Sequence, residues 1–338
     1  MQTIIWLLLL LLGALGVNAS VGDRSPAYHA CVNQCINAEP DRILPLTLLL
    51  TRWTVTSDCM YTCQHSLTSA SLKGIKQEGL PLRRVVQFHG KWPFKRFVGM
   101  QEPLSVFFSA LNLWMHIRGG RRLNKLRGLP KELKNAYRVY PVLGVAAWIS
   151  SILFHTRDTA FTEKLDYFSA AASILWTLYI ALVRFLHLSA RPTLRRFVLL
   201  ALMTMYGAHV GYLSFWKFDY KYNMIFNIAI GLMHNGIWFI WSGWYYLTTS
   251  PSPALSSPTL STRPASKRGV ARKARPPHIH LPLIVLSGFM AAMALEILDF
   301  PPLWSVLDAH AAWHAATVVV VPWWYEVYVR DAGWLAGQ

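Results

Sequence analysis

Long apolar segments alternate with short polar ones along most of this chain. Seven of the apolar segments have the length that a helix needs to cross a bilayer, about 20 residues. They cover about 98–116, 139–155, 165–187, 195–215, 222–246, 281–299 and 307–329. The pattern predicts an all-α polytopic membrane protein whose core is a seven-transmembrane helix bundle.

The region before the first span divides into two parts. Residues 2–17 form a shorter apolar run ending in Val17-Asn18-Ala19, and small residues at these positions are typical of signal-peptide cleavage before Ser20. The sequence thus predicts a signal peptide at 1–19 and a small lumenal N-terminal domain at 20–97. The transmembrane core then runs from 98 to 330, and residues 331–338 form a cytosolic tail.

Basic residues lie mostly in alternate loops, which is the orientation signal of a membrane protein. The loops near 117–138, 188–196 and 248–280 hold 17 Lys and Arg, whereas the opposite loops hold four. The 17 are therefore expected in the cytosol, with the start of the first span lumenal and the carboxyl terminus cytosolic. Lys91, Lys95 and Arg96, on the lumenal flank, run against this rule.

Composition agrees with that interpretation. The chain is 54% hydrophobic and only 14% charged, below the quarter or so that is usual for a soluble domain. Its net charge of +17 is accounted for by the cytosolic loops, and nucleic acid is not an expected partner. Residues 248–278 are rich in Ser and Pro and then basic, which predicts a flexible cytosolic connector.

All four cysteines lie in the N-terminal domain, as two C-x3-C pairs: Cys31 with Cys35, and Cys59 with Cys63. In an oxidising lumen this pattern favours two disulfides, for which three connectivities exist. Antiparallel pairing would staple two helices together. A structural zinc site is the alternative.

Polar residues gather at the lumenal ends of the spans. The carboxylates predicted there are Glu102, Asp166, Glu296, Asp299 and Asp308. His155 closes the second span, with Ser151 one turn earlier on the same helical face. His310 and His314 open the last span four residues apart, so that both can bind one metal ion.

His155, His310 and His314 are thus expected in one layer. Three imidazoles are a recurrent ligand set for catalytic zinc, and one Zn²⁺ is the predicted cofactor. Asp166 suits orientation or deprotonation of a water, and Ser151 suits hydrogen bonding to a developing oxyanion. The alternative is a polar cluster that only packs helices together.

This ordered set, Ser151-x3-His155, Asp166 and His310-x3-His314, resembles the CREST superfamily of seven-span membrane hydrolases. That superfamily includes alkaline ceramidases, adiponectin-type receptors and GPI-anchor remodelling phospholipases. The stretches CVNQC, CMYTC, QFHGKWPF, FHTRD and LEILDFPP resemble the last group, the post-GPI-attachment lipid-remodelling factors. Residues 248–278 have no counterpart in this resemblance.

The resemblance implies removal of the unsaturated sn-2 acyl chain from the phosphatidylinositol of GPI-anchored proteins, leaving a lyso-GPI. The expected partners are GPI-anchored proteins, as substrates, and membrane lipids, with no obligate protein partner. The expected location is the endoplasmic reticulum membrane, with the Golgi as the alternative. A ceramidase, a non-enzymatic seven-span receptor and a transporter are the competing functions.

Overall fold

The computed structural model describes residues 20–249 and 275–337. Within these ranges the chain is largely helical, and its only β structure is a few isolated bridges. The predicted signal peptide and most of the predicted connector lie outside the described residues. The principal helices are α1 (Pro26–Ala38), α2 (Leu46–Leu50), α3 (Val55–Leu72), α4 (Pro103–Asn124), α5 (Lys131–Thr156), α6 (Ala160–Phe185), α7 (Pro192–Gly211), α8 (Tyr220–Thr248), α9 (Leu281–Leu298) and α10 (Ala309–Ala336).

Helices α1 and α3 form the centre of the N-terminal domain, here called the Cys-rich domain (residues 20–97). Ser25 caps α1, with Pro26 in its first turn, and Thr54 opens α3 with a capping box. Two disulfides, Cys31–Cys63 and Cys35–Cys59, join the helices in antiparallel register. The predicted disulfides are confirmed, and all four cysteines are used, which rules out the alternative of a cysteine-bound zinc.

The remaining helices form the bundle. In the described part of the chain, α4, α5, α6, α8, α9 and α10 contact one another in a ring, and α7 packs on α6 from outside. Two glycines allow neighbouring helices to approach closely. A side chain at Gly119 of α4 would clash with the Tyr325 ring on α10, and one at Gly144 of α5 would clash with His116 on α4.

Five of the described helices, α5, α6, α7 (with the π turn that extends it to Trp216), α8 and α9, are long and apolar enough to cross a membrane. The chain is a multi-pass membrane protein. Helices α4 and α10, predicted as the first and last spans, do not meet that criterion. The reason is that α4 ends in a run of arginines, whereas α10 carries histidines at one end and charged residues at the other.

Several helix ends differ from the predicted spans. The bundle begins at Pro103 and not at residue 98, because residues 97–100 form a tight bridged turn. The basic stretch that follows, predicted as a loop, is helical up to Asn124 and again from Lys131. Arg and Lys are good helix formers, so these helices continue past their apolar segments. Helix α10 likewise continues to Ala336, through most of the predicted tail.

The Cys-rich domain docks on one end of the bundle, here called the proximal end. Gln87 and Trp92 donate hydrogen bonds to the two carboxylate oxygens of Asp299, which follows α9, at 3.0 and 2.9 Å. The backbone amides of Gln101 and Glu102 donate to the carbonyls of Thr156 and His155, both at 3.0 Å. The first pair of bonds holds the domain against the end of α9, and the second pair holds the segment that follows the domain against the last turn of α5.

A buried ion pair closes the opposite, distal end. Arg184 of α6 donates to both carboxylate oxygens of Asp331 on α10, at 2.7 and 3.0 Å. His278 lies 3.5 Å from the same carboxylate, and Tyr137 of α5 donates to it at 3.4 Å. Asp331 has no exposed surface. Its bonds to Arg184 and Tyr137 therefore join α5, α6 and α10 in the interior of the bundle.

Candidate metal centre

Three histidines converge at the proximal end of the bundle. Nε2 of His310 lies 3.2 Å from Nε2 of His155 and 2.9 Å from Nε2 of His314. His155 and His314 are buried, whereas His310 is partly exposed, so the cluster is reached from the side of His310. The structure therefore brings together the three residues that the sequence predicts as metal ligands.

Local structure at two helix ends places these rings. Asp308 caps α10 by accepting a hydrogen bond from the Ala311 amide at 2.8 Å, which puts His310 in the first turn. His314 follows one turn later on the same face. His155 occupies the last turn of α5, which ends at Thr156.

Two carboxylates hold the other ring nitrogens. Nδ1 of His155 lies 2.7 Å from Glu102, and Nδ1 of His310 lies 2.6 Å from Glu296. An ionised carboxylate only accepts, so each Nδ1 carries a proton, and in the neutral imidazole each Nε2 then presents a lone pair toward the centre. Carboxylate–histidine pairs of this kind orient the rings of metal-bound histidines.

The spacing of the Nε2 atoms suits a metal ion. Lone pairs facing each other at about 3 Å repel unless a cation lies between them. Zn–N bonds of about 2.0–2.1 Å in a tetrahedron put ligand nitrogens about 3.3 Å apart, close to the separations seen here. The donor set therefore fits a zinc-sized ion, with three protein ligands and room for a fourth.

Hydroxyl groups surround the third ring. Oγ of Ser109 on α4 lies 3.4 Å from Nδ1 of His314 and 3.0 Å from Oγ of Ser151. Asn112 donates to the backbone carbonyl of His314 at 2.9 Å. Ser151 is expected to donate a hydrogen bond to a developing oxyanion. In the structure it is linked through Ser109 to Nδ1 of His314, the ring nitrogen that points away from the cluster.

Lys91 joins the Cys-rich domain to this site. Its Nζ lies 2.5 Å from Glu102 and 3.2 Å from Asp158, and it sits 4.0 Å from the centre of the Phe154 ring. Burial alone would lower the pKa of Lys91, but the two carboxylates outweigh it and raise that pKa. The cation is therefore retained, and it supports the charge of the carboxylate behind His155.

Asp166 stands apart from the histidines. It lies on α6, partly exposed, near enough to His310 and Lys91 for their charges to act on its carboxylate. Within the described residues it forms no side-chain hydrogen bond to any of the three rings and is not part of the cluster of ligand atoms.

Sequence reasoning gave no role to Glu102, Glu296, Ser109 or Lys91. The two glutamates did give a signal, because they belong to the carboxylates predicted at one end of the spans. Lys91 ran against the charge rule, and such an exception can mark a cation that an acidic site requires. Ser109 gave no signal, since serine is common on packed helices in membranes.

Comparisons with known proteins identify a family and relatives that match over nearly the full length of the chain. A profile of the Per1-like family matches residues 45–332. "Protein PER1 homolog" of Schizosaccharomyces pombe is 36% identical over 94% of this chain and 89% of its own length. "GPI-specific phospholipase A2-like PGAP3" is 36% identical in Mus musculus and 37% in Bos taurus, each over 93% of this chain and 90% of the relative.

No solved structure matches the chain. The family profile spans all three histidines and most of the Cys-rich domain, and the relatives are covered over nearly their full length. The chain therefore belongs to the Per1-like family.

Proposed function

We propose that this protein hydrolyses the sn-2 ester of the phosphatidylinositol in GPI-anchored proteins, giving a lyso-GPI and a free fatty acid. The names of its relatives support a GPI-specific phospholipase A2 activity. The observation that carries the proposal is the cluster of His155, His310 and His314, because it is a water-activating ligand set in a multi-pass membrane protein.

Each residue of the site has a separate role in the proposed reaction. A zinc ion held by the three histidines would polarise the attacking water and the ester carbonyl. Asp166 takes a proton from the water as its oxygen bonds to the carbonyl carbon. The bond from that carbon to the sn-2 oxygen then breaks, and the proton passes from Asp166 to the departing glycerol oxygen. Ser151 is the proposed hydroxyl donor to the developing oxyanion, and Ser109 lies between it and Nδ1 of His314.

The proposed arrangement in the membrane rests on the sequence. The proximal end and the Cys-rich domain face the lumen of the endoplasmic reticulum or Golgi, and α4 and α10 complete a seven-span bundle. Disulfides form in that compartment, and the loops rich in Lys and Arg then lie in the cytosol. The histidines lie at the end of the bundle on which the Cys-rich domain docks, and in this arrangement they would lie nearer to the lipid ester groups than to the bilayer midplane.

The test uses purified full-length protein in lipid nanodiscs. A GPI-anchored protein with an unsaturated sn-2 chain is supplied in one sample and ceramide in another, and released fatty acid is measured by mass spectrometry. Release of the sn-2 chain from GPI alone is expected. Release from ceramide alone would show a ceramidase, and release from neither, with metal bound, would favour a receptor.

A further inference from the structure

A cavity lies between the Cys-rich domain and the segment that follows His155. Its volume is about 290 Å³, near the lower end of the range for ligand pockets, so it suits one ring-sized group. Helix α3 supplies one wall, the QFHGKWPF stretch another, and the segment between α5 and α6 the third. It is here called the headgroup pocket.

The headgroup pocket combines aromatic and polar surfaces. Trp92, Phe88 and Phe94 supply apolar faces, whereas Gln64, Gln101, Ser57 and Asp158 supply groups that bond hydroxyls. Such a mixture binds polyols, whose ring faces are apolar and whose edges carry hydroxyl groups. Gln64 projects from α3, and its side-chain amide makes no hydrogen bond within the described residues.

Arg157 gives the pocket a fixed and incompletely bonded cation. Its guanidinium lies 4.6 Å from the Trp53 ring, and Nη1 donates to the Asp158 carbonyl at 2.9 Å. Its Nε is buried without a partner in the described part of the chain. Arginine so placed is suited to phosphate.

The pocket shares a wall with the metal centre. Lys91 and Asp158 line it, and Lys91 bonds Glu102, which holds His155. Arg157 follows His155 by two residues. Lys91 and Glu102 therefore separate a group bound in this pocket from the ring of His155. In a phospholipid, the headgroup is likewise close to the ester but separate from it.

We propose that the headgroup pocket binds the phosphorylated inositol ring of the substrate, through Arg157 and Gln64, and so selects lipids that carry this headgroup. This inference rests on the function proposed above, since it assigns the recognition of that substrate. Phosphate would be held by Arg157, and ring hydroxyls by Gln64 and its neighbours. The ester would then reach the three histidines.

The test measures binding and catalysis separately, on full-length protein in nanodiscs. Binding of glucosaminyl-inositol phosphate, which has no acyl chain, is measured by calorimetry, with inositol 1-phosphate, inorganic phosphate and glucose in parallel. The variants are Arg157→Gln and Gln64→Leu. Their matched controls are Arg84→Gln and Gln34→Leu, at exposed positions of the Cys-rich domain. Melting temperatures report folding.

The two inositol phosphates should bind, and inorganic phosphate and glucose should bind at least tenfold more weakly. Arg157→Gln should weaken inositol phosphate binding about tenfold or more, as expected for a lost hydrogen bond to a charged group. Gln64→Leu should weaken it severalfold, and both controls should stay within twofold. Equal binding of inorganic phosphate, or unchanged binding in both pocket variants, would overturn the assignment.

Catalysis separates this inference from the proposed function. On GPI substrate, Arg157→Gln should raise KM and leave kcat within about threefold. Binding without hydrolysis of any lipid would remove the proposed function and leave the pocket as an inositol phosphate site. Hydrolysis with KM unchanged in both pocket variants would keep the function and remove the pocket.

Discussion

Glu102 fixes His155: its Oε2 lies 2.7 Å from Nδ1 of the ring, while its Oε1 accepts from Lys91 at 2.5 Å. The Cys-rich domain thereby reaches the metal centre through a single carboxylate. Because Nδ1 is held, Nε2 points at His310. The orientation of one proposed ligand thus depends on a residue more than fifty positions away and on a lysine from another domain.

The first prediction concerns this carboxylate. Glu102→Gln keeps the side-chain shape but removes the charge that holds the proton on Nδ1. Zinc affinity should fall about 10–100-fold, the usual effect of losing such a partner. Competition with a fluorescent chelator measures it, and Glu39→Gln, at an exposed position, is the control. Wild-type affinity in Glu102→Gln would mean that the contact does not orient a ligand.

A second prediction concerns the ligands themselves. The purified protein should contain about one zinc, and His310→Ala/His314→Ala should contain almost none, because a single imidazole remains. Elemental analysis by mass spectrometry checks this, with exposed His29→Ala as the control. Full occupancy in the double variant would place the metal elsewhere.

The third prediction separates Asp166 from the ligands. Asp166→Asn should be folded and zinc-loaded but slower by about 10²–10⁴-fold, the usual contribution of a general base. Ser151→Ala should cost less, about 10²-fold, because Ser109 remains beside it. Fatty acid release and zinc content are measured on the same samples. Full activity in Asp166→Asn would make it a packing residue, and loss of zinc would make it a ligand.

The fourth prediction concerns the disulfides. Non-reducing peptide mapping should find Cys31 linked to Cys63 and Cys35 linked to Cys59. Cys31→Ser/Cys63→Ser should lower the free energy of unfolding of the Cys-rich domain by about 3 kcal/mol, given the length of chain that the bond closes. Limited proteolysis across a urea series measures this. Equal protease resistance with and without the bond would show that the helices hold without it.

The fifth prediction concerns the distal ion pair. Asp331→Ala leaves Arg184 buried without a partner and should destabilise the protein by about 3–5 kcal/mol. Arg184→Met/Asp331→Leu removes both charges and should recover most of that loss. Denaturation of the detergent-solubilised protein measures these variants together with the single changes Arg184→Met and Asp331→Leu, which complete the cycle. Additive effects of the two single changes would show that the pair contributes nothing as a pair.

The sequence predicted the histidine cluster because two kinds of information coincide there. Helical spacing places His310 and His314 on one face, and the apolar segments assign His155 to the same end of the bundle. The partners of these rings could not be predicted. Glu102 and Glu296 were placed at the correct end, but which histidine each one bonds depends on how the helices rotate against one another.

Helix ends were predicted less well than helices. Hydropathy detects the part of a helix that lies in lipid, and basic residues beyond it were interpreted as loop. Lys131 and its neighbours nevertheless begin α5, since Tyr137 and Tyr140 pack into the core and draw the charged turns into the same helix. The contribution of Lys91 could not be predicted either, because it depends on how the Cys-rich domain docks on the bundle.

The pair of Arg184 and Asp331 has a consequence for membranes of different thickness. Helix α10 is held by protein at both ends, at His310 and at Asp331, which lie about 32 Å apart at 1.5 Å per residue. A helix held in this way cannot slide or tilt to follow a thinner or thicker bilayer, so the mismatch falls on α7, the least buried of the apolar helices. The height of the histidines is thus set by the protein, and the same site geometry can be kept in bilayers of different thickness.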